Sequence, residues 1–173
     1  MIFTKRNLII VVLVSIIIAS LSLCCIEDSN DRDEKPGVLA DPIPAGYEYI
    51  ATLPNSNFNE FSEHINQSKE EAYRDIDGLD VSIIEIELES DQSALEFISN
   101  YKGQYNEMPD GSRFTEIYFN DHNAVRIKKY VINDGTQVPR YRIIWNSSNI
   151  VYIVKSNSNL EESSLILAKA IDV

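Results

Sequence analysis

The chain has no cysteine after residue 25, only two histidines and a single tryptophan. Beyond Cys25 this excludes an internal disulfide, a thiol nucleophile and a cysteine-ligated zinc site. His64 and His122 have no Cys, His or carboxylate at helical ligand spacing, so both read as solvated side chains, His122 in a hairpin turn. No Gly-x-Ser-x-Gly elbow, phosphate-binding loop or dinucleotide glycine fingerprint occurs, so an enzyme reading has no anchor and no cofactor is implied. Basic residues are also scarce: 15 Lys and Arg against 27 Asp and Glu give a formal charge of -12. All the acidic residues, and all the basic ones except Lys5 and Arg6, follow Ile26. Such a surface repels nucleic acid and anionic lipid head groups and favours cationic partners.

What is present first is one long apolar run. Lys5 and Arg6 precede Leu8 to Ile26, which is interrupted only by Ser15, Ser20 and Ser22. At about 19 residues the run is long enough to cross a bilayer as a helix. Basic residues before it and Glu27, Asp28 and Asp31 after it predict a cytoplasmic N-terminus and an extracytoplasmic remainder. Residues 1–26 therefore read as a signal peptide or membrane anchor. Residues 27–45, with Pro36, Pro42 and Pro44, read as an acidic extended linker. Residues 46–173 read as a single extracytoplasmic domain.

Cys24 and Cys25 end the apolar run. The stretch Leu21-Ser22-Leu23-Cys24-Cys25 resembles the lipobox of secreted lipoproteins, in which the modified Cys becomes the new N-terminus. It departs from that pattern at the preceding residue, normally small, which is Leu23 before Cys24 and Cys24 before Cys25. Two readings stand side by side: a lipoprotein with Cys24 or Cys25 as the lipidation candidate, and an uncleaved transmembrane helix in which both are small apolar residues.

Within the domain, Asp80 to Glu89 alternates Ile84, Ile86 and Leu88 with Glu85, Glu87 and Glu89, predicting a half-buried strand. A helix capped by Asp91 follows, with Ala94, Ile98, Tyr101 and Tyr105 on one face and Gly103 weakening its last turn. Strands are expected at Arg113 to Phe119, Ala124 to Ile132, Val138 to Trp145 and Ile150 to Lys155, joined by short polar turns as an antiparallel meander. A closing helix is predicted from a capping box at Asn159 and Glu162, with Leu160, Leu167, Ala168 and Ile171 as its stripe. Tyr47 to Leu53 suggests a strand and Phe58 to Ile65 a short helix. The expected fold class is α+β, an antiparallel meander sheet with two or three helices packed on one face.

The order of helix, meander and closing helix, with Tyr141-Arg142-Ile143-Ile144-Trp145, Ile150-Val151-Tyr152-Ile153-Val154 and Leu167-Ala168-Lys169-Ala170-Ile171, resembles uncharacterised lipoprotein-like surface domains of methanogenic archaea. The resemblance covers about residues 80 to 171, rests on pattern and carries no catalytic residues with it.

Among candidate sites, Arg126, Lys128, Arg140 and Arg142 stand out. Strand alternation puts each pair on one face of its strand, and an odd-length loop around Gly135 would merge them into one anion-binding stripe for a carboxylate, sulfate or acidic glycan. The same stripe is explained by ion pairing if a three-residue loop at Asp121-His122-Asn123 sets Glu116 opposite Lys128. Asp75, Asp77 and Asp80 around Gly78 are weak calcium candidates that miss the spacing of a calcium loop and fit a plain turn. Trp145, with Tyr141 and Ile143, reads as core, with an aromatic sugar platform as the alternative. Asn66 and Asn146 begin glycosylation sequons.

The leading expectation is a membrane-tethered binding or accessory domain serving an envelope protein or polymer. The alternatives are an envelope-acting hydrolase or transferase using scattered carboxylates, and a module for a small ligand or calcium. A pair of carboxylates facing across a cleft would favour the hydrolase.

Overall fold

The computed structural model describes residues 43–53, 58 and 60–171. Its centre follows from the composition of two strands. Ile150–Ser156 is hydrophobic through Val154, with β-branched residues on either side of Tyr152, and Asp80–Leu88 carries Val81, Ile83, Ile84, Ile86 and Leu88, all essentially inaccessible to water. Such runs favour extended backbone and demand cover on both faces.

Seven strands satisfy that demand: β1 (Tyr47–Leu53), β2 (Ile65–Asp75), β3 (Asp80–Leu88), β4 (Phe114–Phe119), β5 (His122–Asn133), β6 (Thr136–Ser147) and β7 (Ile150–Ser156). They form one antiparallel sheet in the order β1-β2-β3-β7-β6-β5-β4. Two consecutive meanders, β1 to β3 and β4 to β7, thus meet at a β3–β7 seam where Ile84 pairs with Ile153 and Glu85 with Tyr152.

Helix α1 (Asp91–Gly103) covers one face of the sheet and α2 (Glu161–Ala170) the other. Under α1, Ala94, Phe97 and Tyr101 pack with Ile84, Ile86, Leu88, Ile127, Ile144, Val151 and Ile153. Under α2, Leu167, Ala168 and Ile171 pack with Ile83, Ile143, Trp145, Tyr152 and Val154. Each fully buried aliphatic side chain contributes about 1.5 to 3 kcal/mol. Among the described residues no helix is long and apolar enough to cross a membrane.

The expected α+β layer with helices on one face is therefore corrected to a mostly β fold, a seven-stranded sheet sandwiched between two short helices. The physical reason lies in β3 and β6, where Ile83 and Ile143 point to one face and Ile84 and Ile144 to the other, all at 0% exposure. Burial of both faces leaves no room for a solvated side. The predicted anchor helix lies outside the described residues, as do Cys24 and Cys25.

Local corrections follow the same logic. Ser90 caps α1, its hydroxyl accepting from the Ser93 N–H, and Asp91 sits in the first turn instead. Leu160 occupies the N-cap of α2 without a side-chain cap and is exposed, so neither the capping box nor the full stripe forms. Phe61 lies in a turn and packs edge-on against Phe97 and Tyr101, in place of the short helix expected there. Strand β2 was not legible, because Lys69, Glu71 and Glu85 satisfy one another there in place of an apolar stripe.

Candidate anion-binding pocket

The β5–β6 hairpin decides the fate of the basic residues. Asn133 pairs with Thr136 across Asp134 and Gly135, both with positive φ, 49° and 75°. This two-residue loop is the geometry that Asp-Gly favours, because its twist matches that of the flanking strands. An even loop sets Arg126 opposite Ile143, Ile127 opposite Arg142, Lys128 opposite Tyr141 and Lys129 opposite Arg140. The single stripe expected from an odd loop is thereby split between the two faces.

On the α2 face the positive charge is accounted for. Arg126 donates to Glu161 at 2.9 Å and lies beside the Tyr141 ring, while the Lys128 ammonium sits 5.8 Å from the Tyr130 ring centre. Glu116 is not its partner. The β4–β5 turn is also two residues long, Asn120 and Asp121, and places Glu116 opposite Val125.

On the α1 face, register gathers a different set. Lys129 of β5 stands opposite Arg140 of β6, and Arg142 stands opposite Lys155 of β7. These four line an open pocket of about 430 Å³ whose apolar wall includes Leu79 and Val131. Lys155 pairs with Glu70 of β2 at 3.5 Å. Among the described residues, no carboxylate lies within ion-pair distance of Lys129, Arg140 or Arg142.

Arg142 is held in place by the last turn of α1 and the residues just beyond it. Its Nη1 donates to the hydroxyls of Tyr101 and Tyr105, at 2.5 and 2.6 Å, and its guanidinium lies 5.9 Å from the Tyr105 ring centre. Arg140 Nη1 donates to the Pro139 carbonyl. Both guanidinium groups keep further N–H donors for a ligand. Lys129 carries the mark of the crowding: burial first, then the charges of Arg142, Lys155 and Arg140, push its ammonium below the usual lysine pKa. Burial lowers Lys155 as well, with Glu70 opposing and Arg142 reinforcing the shift. Unpaired like charges so placed cost stability, of order 1 kcal/mol per close pair at intermediate dielectric.

Lys129 and Lys155 were not singled out from the sequence. The signal was the Asp-Gly dipeptide, which fixes an even loop and hence the opposition of Lys129 and Arg140.

Most of the remaining candidates have structural partners, although the buried His122 Nε2 and Trp145 Nε1 have no hydrogen-bond partner among the described residues. Asp75 accepts the N–H groups of Asp77 and Leu79 within the β2–β3 turn, and Asp80 pairs with Arg74 at 3.1 Å. No metal-holding cluster occurs among the described residues. His64 Nδ1 contacts Glu89 at 3.0 Å in solvent, and the His122 ring lies edge-on to Phe119. Trp145 is 1% exposed and stacked on Tyr152, a core residue with no face for a sugar. Asn66 and Asn146 lie within β2 and β6, their amides donating to the Leu88 and Ser148 carbonyls. Glu71 and Glu85 flank Lys69, at 3.7 and 3.8 Å. Beside Lys69 and Glu85 the cavity measures only about 60 Å³, room for water rather than a sugar.

The pocket and fold define a class: a small antiparallel-sheet domain with a preorganised cationic recess. No known family, curated protein or solved structure matches the chain.

Proposed function

We propose that the chain is a membrane-tethered, extracytoplasmic binding domain without a catalytic role, which captures an anionic group of an envelope protein or polymer in the Lys129–Arg140–Arg142 pocket. The single observation carrying this reading is the gathering of four cations around one recess on an acidic chain, where among the described residues Lys155 alone of the four has a carboxylate in ion-pair range. Folding alone does not reward such an arrangement, since the unpaired charges repel one another. The tether is supported by Lys5 and Arg6 before the apolar run from Leu8 to Ile26, and by Cys24 and Cys25 at its end.

The test is cross-linking in native membranes followed by mass spectrometry, comparing the wild type with an Arg140→Gln/Arg142→Gln variant of matched melting temperature. A partner recovered with the wild type and lost with the variant supports the reading. Identical partners from both proteins would remove the pocket from it. The same spectra report whether Cys24 or Cys25 carries lipid.

A further inference from the structure

The pocket's charge and spacing specify more than an anion. Arg140 and Arg142 are two apart on one strand, so their side chains leave the same face about 7 Å apart. Lys129 and Lys155 stand across from them on the neighbouring strands, at cross-strand distances of about 5 Å. The four groups therefore outline a skewed parallelogram whose short sides are the two cross-strand pairs, closed at one side by the Tyr101 and Tyr105 hydroxyls that fix Arg142.

Resting on the anion-binding reading above, we infer that this recess is built for a tetrahedral dianion, a phosphate monoester or sulfate group, rather than for a lone carboxylate. A carboxylate presents two oxygens in one plane and satisfies one guanidinium fork, leaving the other cations facing one another. A tetrahedral group offers oxygens in several directions and reaches donors on β5, β6 and β7 together. Charge points the same way. With Glu70 answering Lys155, three cations remain, and two negative charges relieve their repulsion where one leaves most of it. Leu79 and Val131 give the organic body of an ester an apolar wall.

The experiment uses the full chain in nonionic detergent, titrated calorimetrically with inorganic phosphate, sulfate and acetate at matched ionic strength set with chloride. At about pH 8 phosphate and sulfate are expected to bind about tenfold or more tighter than acetate. Lowering the pH to about 5 converts phosphate to a monoanion and should weaken it several-fold while sulfate, still doubly charged, changes little. The charged and titratable groups facing the recess are Lys129, Arg140, Arg142, Lys155, Glu70, Tyr101 and Tyr105, and sulfate reports any change arising in these. Arg140→Gln and Arg142→Gln are each expected to cost about tenfold in phosphate affinity. The Arg140 guanidinium donates to the Pro139 carbonyl, whereas Arg142 holds the Tyr101 and Tyr105 hydroxyls, so the Arg140 variant keeps the test valid if loss of Arg142 disturbs the tyrosines. Lys69→Gln, on the opposite face, should bind as the wild type does. Acetate binding as tightly as phosphate would overturn the dianion inference and leave the anion reading standing. Absence of binding by all three anions would overturn both.

Discussion

Replacing Lys129 by Met should make the domain more stable. The ammonium stands opposite Arg140, shares the recess with Arg142 and Lys155, and has its pKa lowered by burial and by those three charges. At about 6 Å and an effective dielectric of about 40, one such repulsion amounts to about 1.4 kcal/mol. Screening over a Debye length of about 10 Å at 0.1 M salt trims the more distant terms. Methionine keeps the aliphatic stem, so packing changes little. The expected net gain is about 1 to 2 kcal/mol at low salt, shrinking by about half in 0.5 M sodium chloride. Urea unfolding followed by tryptophan fluorescence measures it, since Trp145 lies in the core and the m-value checks that the transition is unchanged. A variant that is destabilised, or whose gain ignores salt, would refute the claim that Lys129 sits in uncompensated positive charge. Adding phosphate should reverse the order, because the wild type then gains the ligand's stabilisation.

Three other outcomes are expected. Burial raises the hydroxyl pKa of Tyr73, Tyr101 and Tyr152, that of Tyr152 to about 12. Because the folded values exceed the unfolded value of 10.0, stability should be intact below about pH 10 and decline as pH rises toward 12, with tyrosinate absorbance appearing as unfolding proceeds; early tyrosinate in a folded protein would contradict this. Ile153→Ala, at a fully buried position beneath α1, should cost about 2 to 5 kcal/mol in urea, whereas Ile132→Ala, at 67% exposure, should cost no more than about 0.5 kcal/mol. The fragment from Pro36 to Val173 contains both core clusters and no cysteine, and should refold from urea in one cooperative transition with chelator present; a broad, non-cooperative melt would show that the core is not self-sufficient.

Six of the seven strands and both helices were legible as patterns, because Ile84-x-Ile86-x-Leu88, Ile150 to Val154 and the alternation of β5 and β6 state their burial directly. The two-sidedness of the sheet was harder to read. In β3 the glutamates at 85 and 87 suggest a wet face, yet Val81 and Ile83 take that side at the other end of the strand, and Glu85 is itself half-buried. Strand β2 reads as polar because its inward groups include Glu71, buried beside the Tyr73 hydroxyl at 2.7 Å, and a buried carboxylate leaves no hydrophobic signature. The pocket was half visible: Arg140 and Arg142 were noticed, but their companions depend on whether a loop holds two residues or three. A single residue in that loop exchanges every partner, which is why register matters more to this site than composition does.

The β3–β7 seam has a consequence for how the chain is made. Synthesis delivers β1 to β3 first, and the inner edge of β3 then offers unpaired peptide groups flanked by Ile83, Ile84 and Ile86 until residues 150–156 arrive to cap it. During that interval the half-sheet has the character of an aggregation template. Helix α1, the next element produced, can cover one of its faces but never its edge. Under the export proposed above, the arrangement would favour passage across the membrane while still unfolded, so that both halves of the sheet meet only on the far side.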